Sequence, residues 1–454
     1  MHFIKKRALF LRKYINNISS LQTFQLMRFG AFLLISIILT KSPLSTEEIG
    51  IFEMFNFIAS FLSFFWVTGL VQSFLPLYNN NLTFSSVTRD EKYKSPEIFN
   101  AFLLVSFFSL VIFIFALSLK NHFSVFGISG NVPFIKLLLA YLLLSNPGVL
   151  VEYVYLLRNR SARILQYGFI TYSLQVVIVT VPILLGYPLE WAIWGQIVIS
   201  VVRLVWLAVL MVRYARFTVS FTFIREHLHL GGPLIITALI SGSSQYFDGI
   251  IISNKFDAEA FAKFRYGAKE FPFVILMANA LSNAMLPEFS KAGNLKASLA
   301  ALKTKSARLI HGLFPVTMIF LLFAHRLYPF LFNENFHRSA DVFVVYLLLI
   351  ISRLVFPQTI LIGLKKTRII LVVAFIELVF NVTLSLLLVN RYGMVGVAVA
   401  TVIVYLIEKI ILIIYNYVRF KIRPDEYIPL RLHLLYSSLL IILFVLIDHG
   451  IINI

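Results

Sequence analysis

About thirteen runs of apolar residues, many near or above the ~18 that a membrane-crossing helix needs, follow one another along this chain with only short connections between them. That succession constrains the fold more than any single motif does. Of the 454 residues, 59% are hydrophobic and only 13% are charged, whereas a soluble chain carries about a quarter charged residues. The chain reads as an all-α polytopic membrane protein. The expected spans are 22–40, 51–78, 99–119, 134–157, 164–186, 191–212, 230–252, 264–289, 309–332, 341–363, 369–389 and 393–418, with a shorter last one at 432–448. No connection clearly exceeds about 20 residues, which leaves no room for a soluble domain.

The net charge of +19 invites a nucleic-acid reading, but a membrane protein has another use for Lys and Arg. With the N-terminus in the cytosol, about 26 of the 40 basic residues fall on the cytosolic side. They run from Lys5 through Arg89, Arg158, Arg213, Lys291 and Lys365 to Arg431; about 10 fall opposite, Lys41, Lys255 and Arg391 among them. The positive-inside rule accounts for most of the excess, and no nucleic acid is needed. The basic N-terminal segment, residues 1–21, lacks the apolar core and small-residue cleavage site of a signal peptide. The absence of Cys excludes disulfides, thiolate metal sites and Cys catalysis.

The chain also resembles itself. LSTEEIGIFEMFNF at 44–57 aligns with FDAEAFAKFRYGAK at 256–269, and FLPLY at 74–78 with MLPEF at 285–289. The offset of about 212 residues is six spans, an even number, so both copies keep one orientation. Parallel repeats of this kind are a transporter architecture with the site between the halves. The expected organisation is a segment 1–21, lobes 22–217 and 218–423 of six helices each, and an additional helix in 424–454.

Polar residues inside apolar runs mark the candidate sites, because ionisable groups at membrane depth are costly. The stretch 231–290 reads as two apolar helices joined by a polar turn, with Gln245 and Asp248 on the first and Arg265, Lys269 and Glu270 opening the second. This pair is expected to line a cavity for a charged substrate; the alternative is that its charges snorkel at the membrane rim. Asp248, a lone carboxylate in an apolar helix, is a candidate for H+ or Na+ coupling or a structural partner for Lys269 or Arg265. Arg203, Arg353, Glu377, Glu408 and Lys409 lie mid-helix and are expected to form buried pairs, with Asn381 sharing the neighbour of Glu377 one turn away.

The pattern from Pro43 to Phe52 (Ser-x-x-Glu-x-Gly-x-Phe) resembles oligosaccharide flippases of the Wzx type. So do Tyr-x-Asp at 246–248, Leu-Pro-Glu-Phe at 286–289, YPFLFNENFHRSA at 328–340 and GMVGVAVA at 393–400. These belong to the multidrug/oligosaccharidyl-lipid/polysaccharide (MOP) exporter superfamily, with the lipid II flippase MurJ and the MATE transporters as relatives. The resemblance implies two pseudo-symmetric lobes and alternating access. It also implies translocation of undecaprenyl-pyrophosphate-linked oligosaccharide across the bacterial cytoplasmic (inner) membrane, for surface polysaccharide such as O-antigen. Glycan polymerase machinery would act next to it, no cofactor is involved, and a monomer is expected.

In that family cations on helices one, two, seven and eight face the cavity. Arg28 matches the helix-one position, and Arg265 and Lys269 the helix-eight positions; helix two departs by carrying Glu53. Arg grips phosphate through its planar fork, and residues four apart on a helix lie about 6 Å from one another, so Arg265 and Lys269 would suit one pyrophosphate. Arg28 would meet it from the other lobe or else snorkel at the cytosolic rim. Glu53, at the repeat position of Arg265, is expected to pair with Arg265 or Lys269 in a closed outer gate.

Three rivals remain on the sequence. A membrane-embedded glycan polymerase or ligase would show a large periplasmic loop and clustered catalytic residues, but the nine His are scattered. A glycosyltransferase would need an acidic metal site, for which Asp90 and Glu91 are poor candidates. A multidrug cation exporter would have an acidic cavity, and the intramembrane candidates here lean cationic.

Overall fold

The computed structural model describes residues 17–82, 94–118, 134–290, 295–364 and 366–452. The basic residues Lys5 to Lys13, Arg89, Lys92, Lys120, Lys291 and Lys365 lie outside them, as do Asp90 and Glu91. Among the described residues the regular structure is helical, and eleven helices are long and apolar enough to cross a membrane. One of these, Arg368–Phe420, is two spans folded at Gly393, whose φ of 60° and ψ of −140° no residue with a Cβ adopts readily. A shorter apolar helix covers Phe273–Leu286. This is the multi-pass helical architecture, with about twelve core spans, that the apolar runs require. The chain packs as two compact units, residues 1–242 and 243–454.

In the first unit α1 (Asn17–Thr40) is followed by α2 (Thr46–Leu82) and α3 (Pro96–Ser118). Ser45 starts α2 with a reciprocal cap: its hydroxyl accepts from the Glu48 N–H at 3.2 Å while the Glu48 carboxylate accepts from the Ser45 N–H at 2.8 Å. The next span is interrupted. α4 (Ile135–Ser145) yields at Pro147 to one 3-10 turn before α5 (Leu150–Leu157), because proline lacks the N–H that would continue the ladder. α6 (Ser161–Leu184) and α7 (Glu190–Tyr214) complete the set, with α8 (Phe221–Lys255) as far as Gly242. α6 packs on both α1 and α7, and Phe24 of α1 stacks on Tyr167 of α6 with ring centroids 5.8 Å apart. The core includes fully buried Trp66, Phe74, Tyr78 and Tyr167, while Phe169, Val205 and Val209 stay exposed as lipid-facing side chains do.

The second unit holds the rest of α8, then α9 (Ala258–Gly267), α10 (Pro272–Ser290), α11 (Leu295–Leu331) and α12 (His337–Leu347). Short α13 (Ile350–Arg353) and α14 (Pro357–Gly363) precede the folded α15 (Arg368–Phe420), α16 (Pro424–Tyr427) and α17 (Leu430–Asp448). Two expected spans of this unit come out differently. The run 264–289 is not one helix: α9 ends at Gly267 and α10 begins at Pro272. Proline is well suited to a first helical turn and disfavours helical backbone at the residue before it, so the helix stops short of Phe271 and restarts. Gly267 is held against α12 so closely that a Cβ there would lie 2.4 Å from the Ser339 carbonyl oxygen. The run 341–363 is likewise broken at 354–356, ahead of Pro357.

Candidate functional site: buried polar clusters within each unit

The strongest cluster of the second unit surrounds Asp248 on α8, which is 1% exposed. Its carboxylate accepts from Thr401 Oγ1 at 2.7 Å, and from Tyr346 and Ser385 hydroxyls at 3.5 Å. Asn381 Nδ2 donates to Thr401 Oγ1 at 3.2 Å, and the Asn381 Oδ1 is buried without a hydrogen-bond partner. Thr401 also lies 3.1 Å from the Val397 carbonyl, so its single proton is shared between two acceptors. Asp248 therefore has hydroxyl partners from α12 and from both arms of α15, and its hydrogen-bond partners are not Lys269 or Arg265. Asn381 belongs to this cluster and not to a neighbour shared with Glu377. One carboxylate, two aliphatic hydroxyls and a phenol form a hard oxygen set, the chemistry that takes up a proton or a small hard cation.

A second cluster forms where α9 and α10 part. Glu270, in the gap, accepts two hydrogen bonds from Arg353 at the end of α13, Nε to Oε2 at 2.9 Å and a terminal nitrogen to Oε1 at 2.6 Å. The Arg353 guanidinium lies 4.5 Å over the Tyr405 ring. Lys269 stands in the same gap with its Nζ 4.4 Å over the ring of Tyr266, a fully buried residue. Arg265 is half-buried in the last turn of α9. Because the helix has ended before Lys269, the expected common face for Arg265 and Lys269 does not exist; they are a helix-end and a gap residue. Gln245 is exposed on α8. Glu408 and Lys409 form a 2.7 Å ion pair with each other, both less than a tenth exposed, and Glu377 lies half-buried within electrostatic range of both.

The first unit is built differently. Arg203 of α7 donates to Gln175 Oε1 at 2.7 Å, Gln175 donates to Gln196 Oε1 at 2.8 Å, and the Arg203 guanidinium lies 4.9 Å over the Tyr172 ring. Gln175 and Gln196 are each 1% exposed. Glu152 of α5 is buried within electrostatic range of Arg28 and Arg203. The sequence does not single it out because it lies close to the end of its apolar run, where a solvated rim residue is the ordinary reading; the interruption at Pro147 is the signal that could have found it. Arg28 is exposed on α1, and Glu53 is buried on α2. Glu53 belongs to the first unit and Arg265 to the second.

The family model described as "Polysaccharide biosynthesis protein" matches residues 44–341. No curated protein matches the chain significantly in sequence. Solved structures match its fold closely. The lipid II flippase MurJ in an inward closed conformation superposes with a TM-score of 0.65 at 18% identity, over 94% of this chain and 92% of that one. An inward-facing multidrug resistance MATE transporter of the MOP superfamily gives 0.65 at 16% identity, over 88% and 94%. A MOP superfamily transporter from Pyrococcus furiosus gives 0.57 at 14% identity, over 90% and 95%.

Proposed function

Because the chain belongs to the polysaccharide biosynthesis protein family, whose match spans residues 44–341, we propose that it is a Wzx-type flippase of the MOP superfamily. It moves undecaprenyl-pyrophosphate-linked oligosaccharide from the cytoplasmic to the periplasmic leaflet of a bacterial inner membrane by alternating access. The family match on a MOP transporter fold carries this reading. The N-terminus lies in the cytosol, as the distribution of Lys and Arg favours, and the six-helix lobes are 22–217 and 218–423. In the second unit Arg265 and Lys269 contact the pyrophosphate; in the first, Arg28 does. Asp248 takes up H+ or Na+, supported by its ring of oxygen donors, and the free energy of that ion drives the cycle.

The test follows the glycan precursor in cells lacking the protein. Labelled lipid-linked sugar is expected to accumulate in the cytoplasmic leaflet, and wild type but not Arg265→Ala/Lys269→Ala is expected to clear it. Build-up in the periplasmic leaflet would place the protein after flipping and revive the polymerase or ligase reading. A second reading, cation export, is favoured by the buried carboxylates Asp248 and Glu152; it gains if neither leaflet fills and cells become sensitive to cationic drugs.

A further inference from the structure

Two adjoining recesses on the first unit have no part in the proposed transport site. One, about 200 Å³, is lined by Tyr155, Arg160, Arg163, Trp206, Val209, Leu210, Arg213 and Tyr214, with no carboxylate among the described residues that line it. The other, about 350 Å³, is a trough of apolar side chains along α7, chiefly Val201 and Val205. They share Trp206 and Val209, so the apolar trough runs directly into the cationic recess.

The recess is built rather than accidental. Trp206 Nε1 donates to the Tyr155 hydroxyl at 3.0 Å, and Tyr167 packs edge-on against the Trp206 ring at 5.2 Å. Asn159, with a φ of 54°, turns the chain sharply between α5 and α6, and the Arg160 N–H closes that turn on the Tyr155 carbonyl at 2.9 Å. Arg158 and Arg213 both lie over the Tyr214 ring, at 5.1 and 5.3 Å. The Tyr214 backbone is itself pinned by Ser95, whose N–H donates to its carbonyl at 2.8 Å. Arg163 and Arg213 are exposed, and Arg163 Nη1 donates to Gln166 Oε1 at 3.0 Å.

We propose that this pair of recesses binds one anionic glycerophospholipid, its phosphodiester held by Arg160, Arg163 and Arg213 and one acyl chain laid along Val201, Val205 and Val209 beneath Trp206. A basic pocket continuous with an apolar groove matches an amphiphile with a phosphate at its polar end. Trp at the junction is the side chain that sits best between headgroup and hydrocarbon. Three arginines supply forked donors for phosphate oxygens, which a zwitterionic headgroup satisfies less well because its own ammonium opposes them. The small recess suits a glycerol phosphodiester better than an oligosaccharide. The inference is independent of what the protein transports.

The test uses the full-length protein in neutral detergent and counts retained lipids by native mass spectrometry. Dioleoyl phosphatidylglycerol is compared with dioleoyl phosphatidylcholine, which has the same chains. Wild type is expected to retain one phosphatidylglycerol about 10-fold more readily than phosphatidylcholine. Arg163→Gln/Arg213→Gln is expected to abolish that preference. Val205→Trp, which fills the trough and leaves the cations alone, is expected to lower retention of the phosphatidylglycerol. Equal retention of the two lipids, or an unchanged preference in both variants, overturns the proposal. So does release of the bound lipid by millimolar inorganic phosphate, which would make free phosphate the ligand. If the arginine variant fails to fold, Val205→Trp alone decides: unchanged retention refutes the site.

Discussion

In the first unit the chain runs from the Ser45 cap to Leu82 as one helix, whereas in the second the matching stretch, capped by Asp257, stops at Gly267 and resumes at Pro272. The two caps lie 212 residues apart, the offset of the repeat. Beyond the caps the two copies share few identities, Glu47 with Glu259 and Phe52 with Phe264, and four of their differences decide the helix. Phe55, Phe57, Ile58 and Ser60 in the first copy stand where Gly267, Lys269, Glu270 and Pro272 stand in the second. The first copy can therefore bury Phe55 and Phe57 and keep its hydrogen-bond ladder unbroken. The second gives up the ladder, and its gap brings a cation and a carboxylate among apolar helices, where irregular backbone is tolerated only if buried in protein or facing water. The two stretches thus begin their helices alike, with a side-chain cap, while a Gly and a Pro decide whether the helix continues.

The buried carboxylates show the same contrast. Asp248 in the second unit accepts hydrogen bonds from three hydroxyls, whereas Glu152 in the first lies in the electrostatic field of two arginines. The largest expected effect separates them: Asp248→Asn reduces ion-driven transport in proteoliposomes to background while leaving Tm within a few degrees of wild type. Glu152→Gln is expected to retain transport, and equal loss in both would erase the distinction between the units.

Next in size, Glu270→Ala leaves Arg353 without its bidentate partner and is expected to destabilise the protein by about 3 kcal/mol, seen as a fall in Tm in detergent. The exchange Glu270→Arg/Arg353→Glu should restore part of that loss. Gly267→Ala forces a methyl onto the Ser339 carbonyl and is expected to cost roughly 1–3 kcal/mol in the same assay. Smallest, Ser45→Ala and Asp257→Ala should each cost about 1 kcal/mol. Similar losses at the two caps would sharpen the repeat; a loss at only one would break it.

Much of this architecture is legible in the amino-acid sequence. Apolar runs of membrane-crossing length, short basic connections and the offset repeat lead to a many-helix protein with about twelve core spans, because hydrophobic length and charge are properties of the chain itself. Asp248 also stands out there, since a lone carboxylate in an apolar helix has few ordinary explanations. Its partners are not. Tyr346, Ser385 and Thr401 are unremarkable hydroxyls 98, 137 and 153 positions away, brought to Asp248 only by helix packing and by the fold at Gly393. The common helical face expected for Arg265 and Lys269 is interrupted for a local reason that is present in the sequence, Pro272, whose effect on the preceding turn outweighed the apolar periodicity.

Fold class was thus settled along the linear chain, since it depends on hydrophobic length and charge in one dimension. Which side chains meet was settled by packing in three. Packing paired Arg353 with Glu270 across 83 residues, put Asn381 beside Thr401, and buried Glu152 near Arg28 and Arg203. Those meetings depend on how helices cross and where they break, and in an apolar medium a polar side chain settles wherever packing offers it a partner.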